Sequence, residues 1–412
     1  MGENPMDVLI ALLMMLWGNV TDQAPDATAE RFLQAAVAAH EAGMKGGNLD
    51  PSAPGETSEN GGNSDGTPSK GEGGAVKTDP QADTAPVVKG VYATAHSAGG
   101  SRLEKLIKLI DDTELNSIVI DIKDDWGNIT YPMDLPDTDY ATTEPIIRDI
   151  GKLMDTLEEH DIYPIARIVV FKDTRLANKK PEWSFRNADG SVWINNRKES
   201  FVNPYVKEVW EYNVEVAKQA ALAGFKEIQF DYVRFPEGFE KRDKELAYVQ
   251  DERARVQVVS EFVEYARQEL SPLGVRVSVD IFGYAASVPA AEGIGQDFNA
   301  ISRHVDVISP MVYPSHYSTG WFGSNVPDAE PYRTIDGAMK DTHEKLSELG
   351  DLKPIIRPWI QDFTATWVKG HIKYGKAEVE AQIRALADNG IEEFLLWNAG
   401  NVYTEGVNYD LE

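Results

Sequence analysis

The sequence predicts an α/β protein, a (β/α)8 TIM barrel preceded by a disordered linker and a short N-terminal helical segment. Three observations carry that prediction. From residue 87 to residue 412, short β-rich runs alternate with amphipathic helical stretches, the pattern of parallel βα units. Eight strands can be marked with none left over, which favours closure into a barrel over an open doubly wound sheet. The Gly99–Gly100 pair after the first strand makes no GxGxxG turn, which disfavours a dinucleotide-binding sheet.

The elements follow in order. The first strand is expected over Val88–Ala95, with a helix over Arg102–Asp112. Ser117–Ile122 precedes a helix over Glu144–His160. Tyr163–Phe171 leads, after a long insertion, to Pro204–Ala223. Glu227–Val233 precedes Glu252–Leu270, and Val275–Phe282 precedes a short helix at Asp297–His304. Val305–Tyr313 is followed by Tyr332–Leu349, Lys353–Trp359 by Lys376–Asn389, and Glu393–Asn398 completes the set. Gly224, Gly274, Gly350 and Gly390 stand where helices should stop, at positions that favour a left-handed residue.

Ahead of the barrel, residues 1–44 hold an apolar run, Val8–Trp17, too short to span a bilayer. Its length suits an export or anchor segment, although Glu3 and Asp7 stand where positive charge should precede one. A buried amphipathic helix paired with Ala27–Met44 is the equal alternative. Any membrane anchoring would therefore come through this segment alone. Residues 45–86 are rich in Gly, Ser, Asp, Glu and Pro, and no aromatic occurs between Phe32 and Tyr92. Such a stretch buries too little apolar surface to offset the entropy of ordering, so it reads as a disordered linker. A tether of this kind suits an extracellular or cell-surface module, and equally a plain spacer in the cytoplasm.

Composition closes several function classes. Lys and Arg total 40 against 67 Asp and Glu, a formal charge of −27. That surface repels phosphate backbones and anionic lipid heads, which argues against nucleic acid and membrane-surface binding but not against neutral sugars. There is no cysteine, so thiol chemistry and cysteine-ligated metals are excluded. Seven histidines form no HExxH pair, and no Walker loop is present. Carboxylate chemistry stays open, and it needs no cofactor. Oligomeric state is not legible.

Alternation along the strands sorts barrel interior from helix-facing positions. It places Val119, Asp121 and Lys123 on one face, and Gln229, Asp231 and Val233 inside. Ser278, Asp280 and Phe282 also point inward, as do Ser309, Met311 and Tyr313, and Trp397. Arg357, Trp359 and Gln361 share one side of the seventh strand. Burying so many polar groups is costly unless they pair or work, and barrel sites are built at strand C-termini. Asp231 and Asp280, from the fourth and fifth strands, form the best carboxylate pair for splitting a glycosidic bond. Asp231 is read as nucleophile or charge stabiliser and Asp280 as acid/base with an elevated pKa, with the roles open to exchange. Asp121 and Asp124 stand in reserve. Trp359, Trp397, Tyr313 and Tyr317 offer flat faces for sugar rings, and Arg234 and Arg357 are candidates to orient carboxylates or bind hydroxyls. His96 and His316 lie near strand ends.

These residues carry a resemblance. The runs FDYVRFPEG (Phe230–Gly238), SVDIFGY (Ser278–Tyr284), ISPMVYPSHY (Ile308–Tyr317) and LLWNAGNVY (Leu395–Tyr403) resemble the bacterial putative glycosyl hydrolase domain family, a distant relative of the α-amylase-type barrels. The resemblance spans about Val88–Tyr403 and implies a (β/α)8 fold and glycosidase activity on a carbohydrate substrate. Carried over from α-amylase-type barrels, the strand-four acid is a nucleophile at Asp231. Their strand-five acid is usually glutamate, where this chain has Asp280, and their late His–Asp pair has no counterpart, so amylase specificity is not implied. Two rivals remain: a non-catalytic carbohydrate-binding barrel of the cell envelope, and a calcium- or magnesium-dependent hydrolase using Asp121, Asp124, Asp231 and Asp280.

Overall fold

The computed structural model describes residues 85–135 and 138–410. The expectations for residues 1–44 and for the linker up to residue 84 lie outside the described residues. Among those described, no helix is long and apolar enough to cross a membrane.

Eight parallel strands close into a barrel: β1 (Lys89–Ala93), β2 (Ser117–Lys123), β3 (Tyr163–Val169), β4 (Glu227–Asp231), β5 (Arg276–Phe282), β6 (Val307–Met311), β7 (Ile355–Ile356 and Trp359–Gln361) and β8 (Phe394–Trp397). Each pairs with its sequence neighbour, and β1 closes the circle by pairing with both β2 and β8. Gly90 sits where β1 passes closest to its neighbours; a Cβ there would meet Leu395 Cδ2 at 2.8 Å. β7 is broken at Arg357 and Pro358, because proline has no N–H for the ladder.

Between the strands run α1 (Arg102–Asp111), α2 (Ile150–Glu159), α3 (Lys207–Leu222), α4 (Arg255–Leu270), α5 (Phe298–Ser302), α6 (Pro331–Ser347) and α7 (Lys376–Asp388). The second helix starts later than expected because Asp149 caps it, its side chain accepting from the Lys152 N–H. The insertion after β3 contains an unexpected short helix, Thr174–Lys179, capped in the same way by Asp173. Two apolar layers result. Ile118, Ile120, Phe230, Val277 and their neighbours fill the space between strands and helices. A smaller interior cluster holds Val88, Tyr92, Val119, Tyr163, Ile165, Tyr313, Trp359 and Leu395.

Two alternation expectations need correction. A register shift between Asp121 and Lys123 breaks the parity of β2. Lys123 therefore pairs with Asp173 at 2.7 Å and lies 5.6 Å from the Tyr212 ring of α3, apart from Asp121. Val233 falls beyond the end of β4 and joins the apolar layer packed against the helices.

Candidate active site

The site is a row of polar side chains strung across successive strand ends. β4 stops at Asp231 because Tyr232 takes a left-handed backbone, φ 52°, which is costly for a residue with a Cβ. That turn lets the Tyr232 N–H donate to Asp231 Oδ1 at 2.6 Å. From β3, Arg167 donates to Asp231 Oδ2 through Nε (3.0 Å) and Nη2 (2.6 Å), and to Asp121 Oδ1 through Nη1 (2.7 Å). The Tyr92 hydroxyl of β1 donates to the other Asp121 oxygen at 2.5 Å. Four consecutive strands thus contribute Tyr92, Asp121, Arg167 and Asp231 to one hydrogen-bonded chain. The Arg167 guanidinium lies 5.8 Å from the Tyr92 ring and 5.9 Å from Trp397.

Asp280 extends this row from β5. It is buried, and its Oδ1 accepts from Trp359 Nε1 of β7 at 2.7 Å. Among the described residues it forms no ion pair. Burial first, and then the neighbouring charge of Asp231, push the Asp280 carboxyl well above its usual range. The Trp359 hydrogen bond and the positive charge of Arg167 offset only part of this.

Burial also lifts Asp121, to about 6, against the pull of Arg167. Asp125, on the loop after β2, has a side chain 38% exposed and lies 2.8 Å from Lys172 and 3.5 Å from Arg167. Desolvation raises it, but the two cations outweigh that and hold it below the ordinary carboxylate range. Neighbouring acids at one barrel mouth are thus driven apart in proton affinity, the arrangement that separates acid from base roles.

The aromatic candidates meet beside these acids. Trp397 stacks on Tyr92 at 4.2 Å and stands edge-on to Trp359 at 5.6 Å. Tyr313 lies 6.4 Å from Trp397, and burial followed by the charges of Asp280 and Asp231 raises its hydroxyl pKa. Arg234 follows β4 but binds Glu237 at 2.8 Å and the Phe235 carbonyl at 3.1 Å, its guanidinium near the rings of Tyr232 and Phe282. No hydrogen bond joins it to Asp231 or Asp280.

Arg357 belongs elsewhere. It is fully buried at the N-terminal end of the barrel, donating to Glu227 at 2.7 Å and Glu393 at 2.6 Å. Alternation placed it correctly inside but says nothing about depth, and it lies two residues earlier along β7 than Trp359.

The proposed metal quartet also fails. The Asp124 carboxylate is used within its own loop, accepting from Trp126 N, Asn128 N and Asn128 Nδ2 at 2.9 Å each. A guanidinium fills the gap between Asp121 and Asp231, and among the described residues no three acids or histidines converge as a metal site.

The model of the putative glycosyl hydrolase domain family matches residues 90–403. The chain belongs to that family. A solved hypothetical protein from Ruminiclostridium thermocellum is 34% identical, with a TM-score of 0.42, covering 46% of this chain and 96% of its own. The PgaB (BpsB) glycoside hydrolase domain from Bordetella bronchiseptica is 12% identical with a TM-score of 0.53, covering 77% of this chain and 95% of its own. At that identity the likeness extends to the fold. No curated protein matches the chain.

Sequence reasoning missed two central residues of this glycosyl hydrolase domain, Arg167 and Tyr92. A signal for Arg167 was present: in YPIARIV it is the only charged residue of an otherwise apolar strand, on the parity of Ile165. Tyr92 gave less warning, since an aromatic in a strand is usually packing.

Proposed function

We propose that the domain is a glycoside hydrolase cleaving an oligo- or polysaccharide, with Asp231 and Asp280 as its working pair. The observation that carries this reading is the contrast between two acids of adjacent strands. Asp231 is oriented by three donors, two from Arg167 and one from the backbone. Among the described residues Asp280 is buried without an ion-pair partner, and burial and the charge of Asp231 push its carboxyl pKa well above the usual range.

In this reading Asp280 gives its proton to the glycosidic oxygen as the bond from that oxygen to the anomeric carbon breaks. The Asp231 carboxylate faces the positive charge developing on the sugar, as nucleophile or as electrostatic stabiliser. Water then supplies hydroxyl to the anomeric carbon, and its proton restores Asp280. Trp359 positions the Asp280 carboxyl, while Trp397 and Tyr313 offer ring faces to the sugar. Asp121 acts through Arg167 and touches no reacting atom.

One observation favours a second reading, a carbohydrate-binding barrel without catalysis: both oxygens of Asp231 already accept hydrogen bonds. A screen of sugar release from a glycan panel separates the two. The hydrolase reading expects release by the wild type and none by Asp231→Asn, with circular dichroism unchanged. Binding without release by the wild type would favour the rival.

A further inference from the structure

Beyond the acid pair, an aromatic path leads from the barrel interior to its outer rim. It begins at Trp359, which bonds Asp280, and continues through Trp397 and Tyr313 to Phe363 on the loop after β7, 6.2 Å from Tyr313. Phe363 in turn stacks on Trp367 at 5.9 Å with only 21° between ring planes. Trp367 is 46% exposed. A tryptophan backed on one face and open on the other is a preformed platform for a flat apolar face.

The platform is held in place by its loop. Ala365 is fully buried, the Val368 N–H donates to the Ala365 carbonyl at 3.0 Å, and the Tyr374 N–H donates to Thr364 Oγ1 at 3.0 Å. A second exposed tryptophan, Trp126 at 47%, stands on the loop after β2. Its N–H is fixed by Asp124, and the next residue, Gly127, has φ 91° with its Cα pressed against Asp173, where no side chain would fit. β2 and β7 are separated around the barrel by β1 and β8 on one side and by four strands on the other. The two exposed tryptophans therefore follow strands three places apart around the eight-stranded barrel, and β4 and β5, which carry Asp231 and Asp280, lie on the longer arc between those strands.

We infer that the mouth binds an internal stretch of a neutral polysaccharide, with Trp367 and Trp126 as outer stacking platforms on either side of Asp231 and Asp280. The inference rests on the glycosidase reading and adds the class of substrate: a chain long enough to reach both rims, cut between its ends. Neutrality follows from Asp121, Asp125 and Asp231, which outnumber the Arg167 and Lys172 paired with them and would repel an anionic polymer. Sugar rings present C–H faces that match an open indole.

The test uses Asp280→Asn, which keeps an acceptor for Trp359 and is expected to bind without turnover. Gluco-, galacto- and N-acetylglucosamine oligomers, dimer through hexamer, are titrated into it by calorimetry. In at least one series affinity should climb with length. Adding Trp367→Ala or Trp126→Ala should weaken the hexamer about tenfold each and leave the dimer unchanged, as expected for loss of one stacking contact. Trp367→Phe should restore most of the loss. Equal effects on dimer and hexamer, no effect of either tryptophan, or no binding in any series would overturn the inference. A length-dependent ligand that the wild type binds but never cleaves would instead overturn the glycosidase reading and leave the two platforms standing.

Discussion

The barrel contains the same device twice, and its two ends put it to different use. At the N-terminal floor, Arg357 bridges Glu227 and Glu393; at the C-terminal mouth, Arg167 bridges Asp121 and Asp231. At the floor the charges are matched and shut away: Arg276 adds a second cation to the field of Glu393, and Arg267 pairs with Asp306 nearby at 2.5 Å. At the mouth, among the described residues, Asp121, Asp125 and Asp231 form ion pairs only with Arg167 and Lys172, Asp280 forms none, and the network opens to solvent at Asp125. A matched network fixes a structure. A network with a carboxyl left over holds a proton that can be given away.

The largest effect that would sharpen this contrast is on turnover. Asp231→Asn should reduce hydrolysis on the order of a thousandfold or more, while Glu393→Gln at the floor leaves turnover per folded molecule unchanged; kcat on a glycan released by the wild type checks both. The next is on stability. Arg357→Met leaves two carboxylates buried without their cation and should cost roughly 3–5 kcal/mol in denaturant unfolding. The activity of the remaining folded protein should be unaltered. Equal loss of specific activity would mean that floor and mouth are not separate.

A third prediction follows from the proton affinity of Asp121, lifted to about 6 from 3.8 by burial. The folded protein binds more protons than the unfolded chain between those two values. Stability contributed by this group is therefore present at low pH and falls as pH rises from about 4 to 6, by about 3 kcal/mol once fully ionised. Asp121→Asn should flatten that part of the stability profile. The smallest effect concerns Trp359, whose hydrogen bond favours the ionised form of Asp280. Trp359→Phe should raise the Asp280 pKa, so that the alkaline limb of the activity profile moves to higher pH.

The two ends also show what a sequence discloses. The eight βα units were legible because hydrophobic period and helix-stopping glycines agree along the whole of residues 87–412. Asp231 and Asp280 were legible because strand parity and strand order together bring them to one barrel mouth. Depth was not legible. Arg357 and Trp359 share a face of β7, yet one serves the floor and the other bonds Asp280, because the relative stagger of strands sets height and no local pattern encodes it. Lys123 was misassigned for a related reason: the register shift beside Asp121 depends on how β2 meets β3. Arg167 was readable in principle as a lone charge in an apolar strand. Its role was not, since that depends on two carboxylates from two other strands.

The central claim is that Asp280 carries the proton that breaks the bond. Reducing-end release from a glycan panel, followed side by side for the wild type and Asp280→Asn over a range of pH, tests it most directly. The account predicts release by the wild type that declines as the medium becomes alkaline, and none by the variant at any pH. Undiminished release by Asp280→Asn would contradict it.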